Sequence, residues 1–88
     1  MLVTAHPKFK KHFTKRILPN KKLTKKFHKR LAIFLKNPKH PLLKDHSLIG
    51  KKNNKKAFSI TGDIRVIYFP KSKNHIELLD IGTHNQVY

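Results

Sequence analysis

The sequence lacks several kinds of residue, and each shortage excludes a class of protein. It has no cysteine, so we expect no disulfide framework, no thiolate metal site and no redox chemistry at a thiol. Its apolar runs are only a few residues long, far below the roughly 18 that cross a bilayer, and it has no apolar signal-peptide core. We therefore expect a cytoplasmic protein with no membrane partner.

Acidic residues are scarce, whereas basic residues are abundant. Of 88 residues, 21 are Lys or Arg and four are Asp or Glu, which gives a formal net charge of +17. Residues 1–60 hold 18 of the basic side chains and one acid, Asp45, whereas residues 61–88 hold three of each sign. A block this cationic repels itself, so we expect a polyanionic partner, above all RNA. The alternative is a solvated face that only confers solubility.

The first third of the sequence predicts a helical hairpin. Pro7 suits the first turn of a helix, and Phe9, Phe13 and Ile17 then form an apolar stripe at a spacing of four residues. This first helix has to end before Pro19.

A second helix is predicted from the N-cap residue Asn20 to the Asn-Pro pair at 37–38. The residues of this helix that we expect to face inward are Leu23, Phe27, Leu31, Phe34 and Leu35.

The rest of the chain predicts a small sheet. Three strands are expected at 56–61, 64–69 and 75–81, with a short edge strand at 2–4. Gly62 and Asp63 form a tight hairpin turn, residues 70–74 form a longer one, and the run 64–69 is apolar on both faces, as in a central strand. The fold class is therefore α+β, with an N-terminal helical hairpin packed on a small, mainly antiparallel sheet in one domain, residues 1–88.

Seven histidines are the main candidates for chemistry. His12 and His28 lie on lysine-rich helical faces, where solvation explains them best. His46 precedes the sheet and His84 follows its last strand, positions at which catalytic side chains are commonly held. Without an HExxH motif and with scattered carboxylates, a metal site is not expected. Histidines, lysines and a strand arginine suit metal-independent RNA cleavage, in which the 2′-hydroxyl loses a proton, the 5′-oxygen gains one and cations stabilise the phosphate.

Three segments carry a resemblance to a known family: KDHSLIG at 44–50, GDIRVIY at 62–68 and IGTHNQVY at 81–88. In this order and spacing they resemble the RelE/ParE superfamily of toxins, most of all its YafQ-like branch. The helical hairpin fits that fold too, so the resemblance spans nearly the whole chain. It implies a ribosome-dependent mRNA endonuclease, without cofactor, that a co-expressed acidic antitoxin neutralises. We expect the isolated toxin to be a monomer.

The resemblance also implies roles for single residues. His84 matches the general acid for the leaving oxygen, while His46 and Asp63 match residues implicated in proton transfer. Arg65 matches a strand arginine that contacts phosphate, although pairing with a sheet carboxylate explains it equally well. The other residues expected to bind substrate are the C-terminal aromatic Tyr88 and the cations Lys51, Lys52, Lys55 and Lys56.

The sequence departs from the YafQ-like pattern at two positions. Phe58 stands where these proteins usually have a further site histidine, and Asp80 stands where they usually have an arginine.

Two other functions need no pair of histidines. One is a non-catalytic ParE-like toxin that inhibits DNA gyrase, and the other is a simple basic RNA-binding protein.

Overall fold

A computed structural model describes residues 1–48 and 54–88 as helices packed on a five-stranded mixed sheet. The strand order is β1-β5-β4-β3-β2, with β1 parallel to β5 and every other pair antiparallel. The predicted fold class and the central position of the 64–69 run are therefore confirmed. In chain order the elements are β1 (Leu2–Ala5), α1 (Pro7–Arg16), α2 (Lys21–Lys36), β2 (His46–Ser47), β3 (Lys56–Ser59), β4 (Ile64–Ser72), β5 (His75–Thr83) and α3 (His84–Val87).

Aromatic rings hold α1 and α2 together. The Phe27 ring lies 5.0 Å from that of Phe13 and 6.0 Å from that of Phe9, within range of favourable ring contacts. Asn20 caps α2 as predicted, because its side-chain oxygen accepts hydrogen bonds from the next turn. The inward position expected for Leu35 is wrong. Its side chain is 41% exposed, because a helix turns about 100° between residues and Phe34 already occupies the inward direction.

The sheet is apolar on both faces, and only one of them is covered by α1 and α2. On the helix side, the Phe34 ring stacks on Phe58 at 4.7 Å and meets Tyr68 edge-on at 5.0 Å. On the other face, Ala57, Ile67 and Val87 form a smaller buried cluster. Val87 belongs to α3, so the C-terminal helix packs on the side of the sheet away from α2.

Two connections differ from the sequence prediction. The long turn expected at 70–74 is wrong, because β4 continues to Ser72 and β5 begins at His75. The ladder tolerates Pro70 beside a register irregularity, where a missing N–H costs least. The segment around His46, expected as a loop, includes the short edge strand β2, which pairs with the start of β3. In the described ranges, no helix is long and apolar enough to cross a bilayer.

The outer edge of β5 is covered first by β1 and then by α1. Strand β1 pairs with β5 only as far as Leu78, whose carbonyl oxygen also accepts the N–H of His6 at 2.8 Å. Beyond this point the Arg16 guanidinium donates to the carbonyl oxygen of Ile81 at 2.9 Å. An edge of unpaired backbone groups is thereby closed by a helix.

Asp80 fastens α1 to this edge. Its carboxylate is 8% exposed and lies 2.6 Å from Nδ1 of His12, 3.6 Å from the Arg16 guanidinium and 3.7 Å from Nζ of Lys8. The three partners are four residues apart and so share one face of α1. The solvated position expected for His12 is wrong, since it is half-buried against this carboxylate.

Gly82 lies where α1, β5 and α3 meet. A Cβ atom there would stand 2.6 Å from Oε1 of Gln86 and 2.7 Å from the Arg16 guanidinium. These two atoms form the hydrogen bonds that fix the start of α3 and the edge of β5, to the Thr83 N–H and the Ile81 carbonyl respectively. A side chain at this position would therefore displace the ends of both Gln86 and Arg16.

We expect Gly82→Ala to lower the free energy of unfolding by about 1–3 kcal/mol, because both side chains have to withdraw and give up a hydrogen bond. Gly62→Ala is the matched control, since a Cβ there meets no atom within 4 Å. Urea unfolding of both variants measures the difference. Equal stabilities would contradict the close approach at Gly82.

Candidate active site

His46 has a defined tautomer. Its Nδ1 lies 2.9 Å from the carbonyl oxygen of Lys44. A carbonyl can only accept, so Nδ1 carries the hydrogen of the neutral ring and Nε2 keeps its lone pair. Nε2 in turn lies 3.2 Å from the Tyr88 hydroxyl, on the exposed side of β2.

A buried network next to His46 holds its backbone in place. The carboxylate of Asp45 accepts a hydrogen bond from the Tyr68 hydroxyl at 2.6 Å and pairs with Nζ of Lys56 at 3.2 Å. Burial and this carboxylate both raise the pKa of Tyr68 well above its ordinary value, so its hydroxyl remains a donor. Lys44 has a left-handed backbone, with φ of 49°, which turns the chain toward β2.

His84 and Tyr88 are placed by α3. The helix begins directly after β5, with the Thr83 N–H donating to the Gln86 side chain at 2.8 Å. One helical turn separates His84 from Tyr88, and their rings meet edge-on at 4.4 Å. Tyr88 thus contacts both histidines and joins two segments that are distant in the sequence.

Arg65 lies close enough to Tyr88 to act on its ionisation. Burial raises the pKa of the Tyr88 hydroxyl, and the positive charge of Arg65 partly opposes this rise. Arg65 pairs with Gly82 across β4 and β5, on the same face as the smaller buried cluster. The four residues His46, Arg65, His84 and Tyr88 form what we call the histidine site.

Asp63 lies at the same end of the sheet as His84. It precedes Ile64, whose partner in the ladder is Thr83, the residue before His84. Its side chain is exposed at the hairpin turn, where Thr61 Oγ1 accepts the N–H groups of Asp63 and Ile64. The turn therefore holds Asp63 beside α3.

The four predicted lysines are divided by the structure. Lys51 and Lys52 lie outside the described residues. Lys56 is engaged with Asp45 and aligns in the ladder with Tyr68, on the helix side of the sheet and away from His46. Lys55 is half-buried and lines a cleft of about 190 Å³.

This cleft lies on the same face as the histidine site. Its apolar floor consists of Ile67, Leu79 and Val87, and Lys8 and Lys55 stand at its rim. His6 and Asp80 complete its lining, and Val87 links the cleft to Tyr88, its neighbour in the chain. Sequence reasoning missed it, since its residues come from five separate segments of the chain.

The two departures from the YafQ-like pattern have structural explanations. Phe58 is fully buried in the core against Phe34, so it presents no polar group to the histidine site. Asp80 is the anchor of α1. Of the described residues, no group of three or more His, Asp or Glu side chains is arranged to hold a metal ion.

Solved structures of bacterial toxins share this fold. YafQ from E. coli strain BL21(DE3) is 17% identical, with a TM-score of 0.82 over 98% of this chain and 96% of that one. A YoeB/ParE toxin from Agrobacterium tumefaciens is 16% identical, with a TM-score of 0.79 over 96% and 99%. The E. coli DinJ–YafQ complex contains a chain that is 21% identical, with a TM-score of 0.75 over 98% and 96%.

Sequence comparison is more specific than fold similarity. No curated protein matches the sequence. A family model described as the bacterial toxin YafQ of type II toxin–antitoxin systems, however, matches residues 1–88. The resemblance drawn from the three sequence segments is thereby confirmed, and the chain belongs to the YafQ family of type II toxins.

Proposed function

We propose that this toxin is an endoribonuclease that cuts mRNA on the ribosome by metal-independent acid–base chemistry. The observation that supports it best is the continuous contact from His46 through Tyr88 to His84, with 3.2 Å between His46 Nε2 and Tyr88 Oη and 4.4 Å between the rings of Tyr88 and His84. Two imidazoles, the side chains best suited to exchange protons near neutral pH, thus flank one hydroxyl on an exposed surface.

The reaction requires one proton to be removed and one to be delivered. The 2′-oxygen attacks phosphorus while its proton passes to Nε2 of His46, which already carries the lone pair of a base. Asp63 is the alternative base at this end of the sheet. As the P–O5′ bond breaks, His84 protonates the 5′-oxygen. The products are a 2′,3′-cyclic phosphate and a 5′-hydroxyl end.

Arg65 and Tyr88 stabilise the phosphate. The guanidinium supplies positive charge as negative charge develops on the phosphate oxygens. The Tyr88 hydroxyl stays protonated, because burial raises its pKa, so it donates a hydrogen bond to a phosphate oxygen in place of the one that it makes to His46. Binding of RNA therefore releases Nε2 of His46 for its role as a base.

The cleft beside the site accommodates the neighbouring nucleotide. Its apolar floor suits the face of a base, while Lys8 and Lys55 at the rim suit a flanking phosphate. Lys51 and Lys52 remain predicted RNA contacts. Lys56, engaged with Asp45, acts by keeping the segment before His46 in place.

A second partner that we propose is an acidic antitoxin. E. coli YafQ is found in complex with DinJ. In this chain three of the four acids are occupied within the fold, Asp45 by Lys56, Glu77 by Lys71 and Asp80 by α1. The surplus charge of +17 is thus left for an external acidic segment to neutralise.

His84→Ala should separate catalysis from binding. Loss of a positioned general acid lowers the rate about 100- to 10,000-fold, whereas loss of one imidazole among 21 basic side chains leaves RNA affinity nearly unchanged. Primer extension on cellular mRNA after induced expression measures cleavage, and co-sedimentation with ribosomes measures binding.

His28→Ala is the matched control, because it removes an exposed histidine of α2, away from the histidine site. It should cut as the parent does. If His84→Ala is as toxic as the parent, the nuclease mechanism is wrong, and inhibition of gyrase or simple RNA binding becomes the better explanation.

Arg65→Gln should raise the pKa of Tyr88 further. The positive charge of Arg65 stabilises the deprotonated form of Tyr88, and the variant lacks that charge. Ultraviolet titration follows both tyrosines, and Tyr88→Phe identifies which transition belongs to Tyr88. Lys73→Gln is the control, since this lysine lies in the β4–β5 turn, at the opposite end of β5 from α3. An unchanged Tyr88 transition in Arg65→Gln would place the guanidinium away from the site.

The product of a small acidic reading frame directly upstream should co-purify with the toxin and raise its Tm. Binding to the folded state alone stabilises by mass action, and neutralisation removes repulsion among the lysines. Differential scanning calorimetry of the toxin with and without its partner measures the shift. If the two proteins do not co-purify, the pairing is wrong.

A further inference from the structure

The outer side of α2 carries a row of lysines. Lys22, Lys25, Lys29 and Lys36 are all exposed, and their spacing of three, four and seven residues places them on one side of the helix, opposite the buried Phe27. We call this row the α2 lysine stripe. Within the described residues, no acidic side chain pairs with any of the four.

The stripe is unfavourable for the helix that carries it. Lys25 stands four residues from both Lys21 and Lys29, and like charges at this spacing destabilise a helix. Lys21 and Lys22 lie in the first turn, where the helix dipole is already positive and no acidic residue compensates. Neither the packing of α2 nor the histidine site uses these charges, so their benefit has to come from outside the chain.

The stripe and the histidine site face opposite ways. Helix α2 packs its inner side, through Phe34, on Phe58 and Tyr68. The histidine site belongs to the other face of the sheet, with Val87 and α3. A nucleotide in the site is therefore separated from the stripe by the sheet.

We propose that the α2 lysine stripe binds the phosphate backbone of double-helical segments in a folded RNA, as an anchor separate from the histidine site. Lysines supply point charges that contact phosphates without reading bases. Proteins that hold single strands generally add aromatic side chains on which bases stack, yet both phenylalanines of α2 are buried. Paired RNA is recognised instead by its backbone and shape.

An acidic protein segment is a less suitable occupant of the stripe. Such segments usually combine their charges with apolar anchors, and the large apolar residue that α2 exposes, Leu35, lies about 100° around the helix from Lys36. That the polyanion is RNA rests on the proposed function of the histidine site.

The test compares two triple variants of equal net charge. One replaces Lys22, Lys25 and Lys29 of the stripe by Gln, and the other replaces Lys11, Lys39 and Lys73, which are exposed elsewhere, by Gln. Both are made in the full chain carrying His84→Ala, so that RNA is not cut. Binding to a blunt, fully paired RNA duplex is measured between about 50 and 200 mM salt.

Loss of the stripe should reduce the steepness of the plot of log affinity against log salt concentration by about 2 to 3, at roughly 0.7–0.9 for each lost phosphate contact. It should also weaken binding at least about tenfold. The control triple should keep the parent slope within about one. The Tm of the stripe variant should not fall, because like-charge repulsion within α2 is relieved. Gln preserves the helix propensity of Lys, so lost binding cannot be attributed to a lost helix.

Equal losses in the two triples would overturn the inference, since net charge alone would then explain binding. So would a stripe variant that loses affinity for poly-glutamate but keeps its affinity for the RNA duplex, because the stripe would then bind an acidic protein. The readout is binding without cleavage. A negative result here therefore leaves the nuclease proposal standing, and a toxic His84→Ala protein would refute cleavage without changing this measurement.

Discussion

The contact on which the rest of the structure depends is the carboxylate of Asp80 among three basic side chains of α1, Lys8, His12 and Arg16. Removing one partner of a buried ion pair costs about 3–5 kcal/mol, a large part of the roughly 5–15 kcal/mol that keeps a domain folded. Asp80 also connects α1 to the histidine site. Its partner Arg16 also donates a hydrogen bond to the Ile81 carbonyl and lies against Gly82. Helix α3, which places His84 and Tyr88 on the sheet, begins two residues after Gly82. Asp80 thus acts indirectly on the position of the candidate site residues of α3.

The second half of the site depends on a similar arrangement at the opposite edge of the sheet. Asp45, a half-buried acid with a cationic partner, fixes the segment before His46 through Lys56 and the Tyr68 hydroxyl. Two of the four acidic residues, Asp45 and Asp80, therefore hold the two segments that meet at Tyr88. Asp63 is the one acid for which the described residues show no ion pair, and it lies in the turn beside α3.

Local patterns predicted the elements well, whereas contacts between distant segments could not be predicted. The spacing of Phe9, Phe13 and Ile17, and the N-cap Asn20, suffice for the helices because helix periodicity and capping are local. His12 was misjudged because its partner, Asp80, is 68 residues away. The contact of Tyr88 with His46 spans 42 residues, and neither side chain indicates the other in the sequence. Family resemblance drew attention to both residues, but it could not reveal that one hydroxyl joins the two histidines.

The sheet lies between the lysines of α2 and the histidine site. Aromatic contacts of Phe13 and Phe27 hold the helical hairpin together despite its lysines, since apolar burial does not depend on the sign of the surface charge. The histidine site on the other face has Arg65 as its strand cation, next to the hydroxyl and imidazole groups to which the proposed mechanism assigns proton exchange. A dense group of lysines around imidazoles favours their neutral forms and leaves less protonated imidazole to donate a proton. Seven of the 21 basic side chains lie on α2, where they add to the attraction for a polyanion without adding positive charge around the imidazoles.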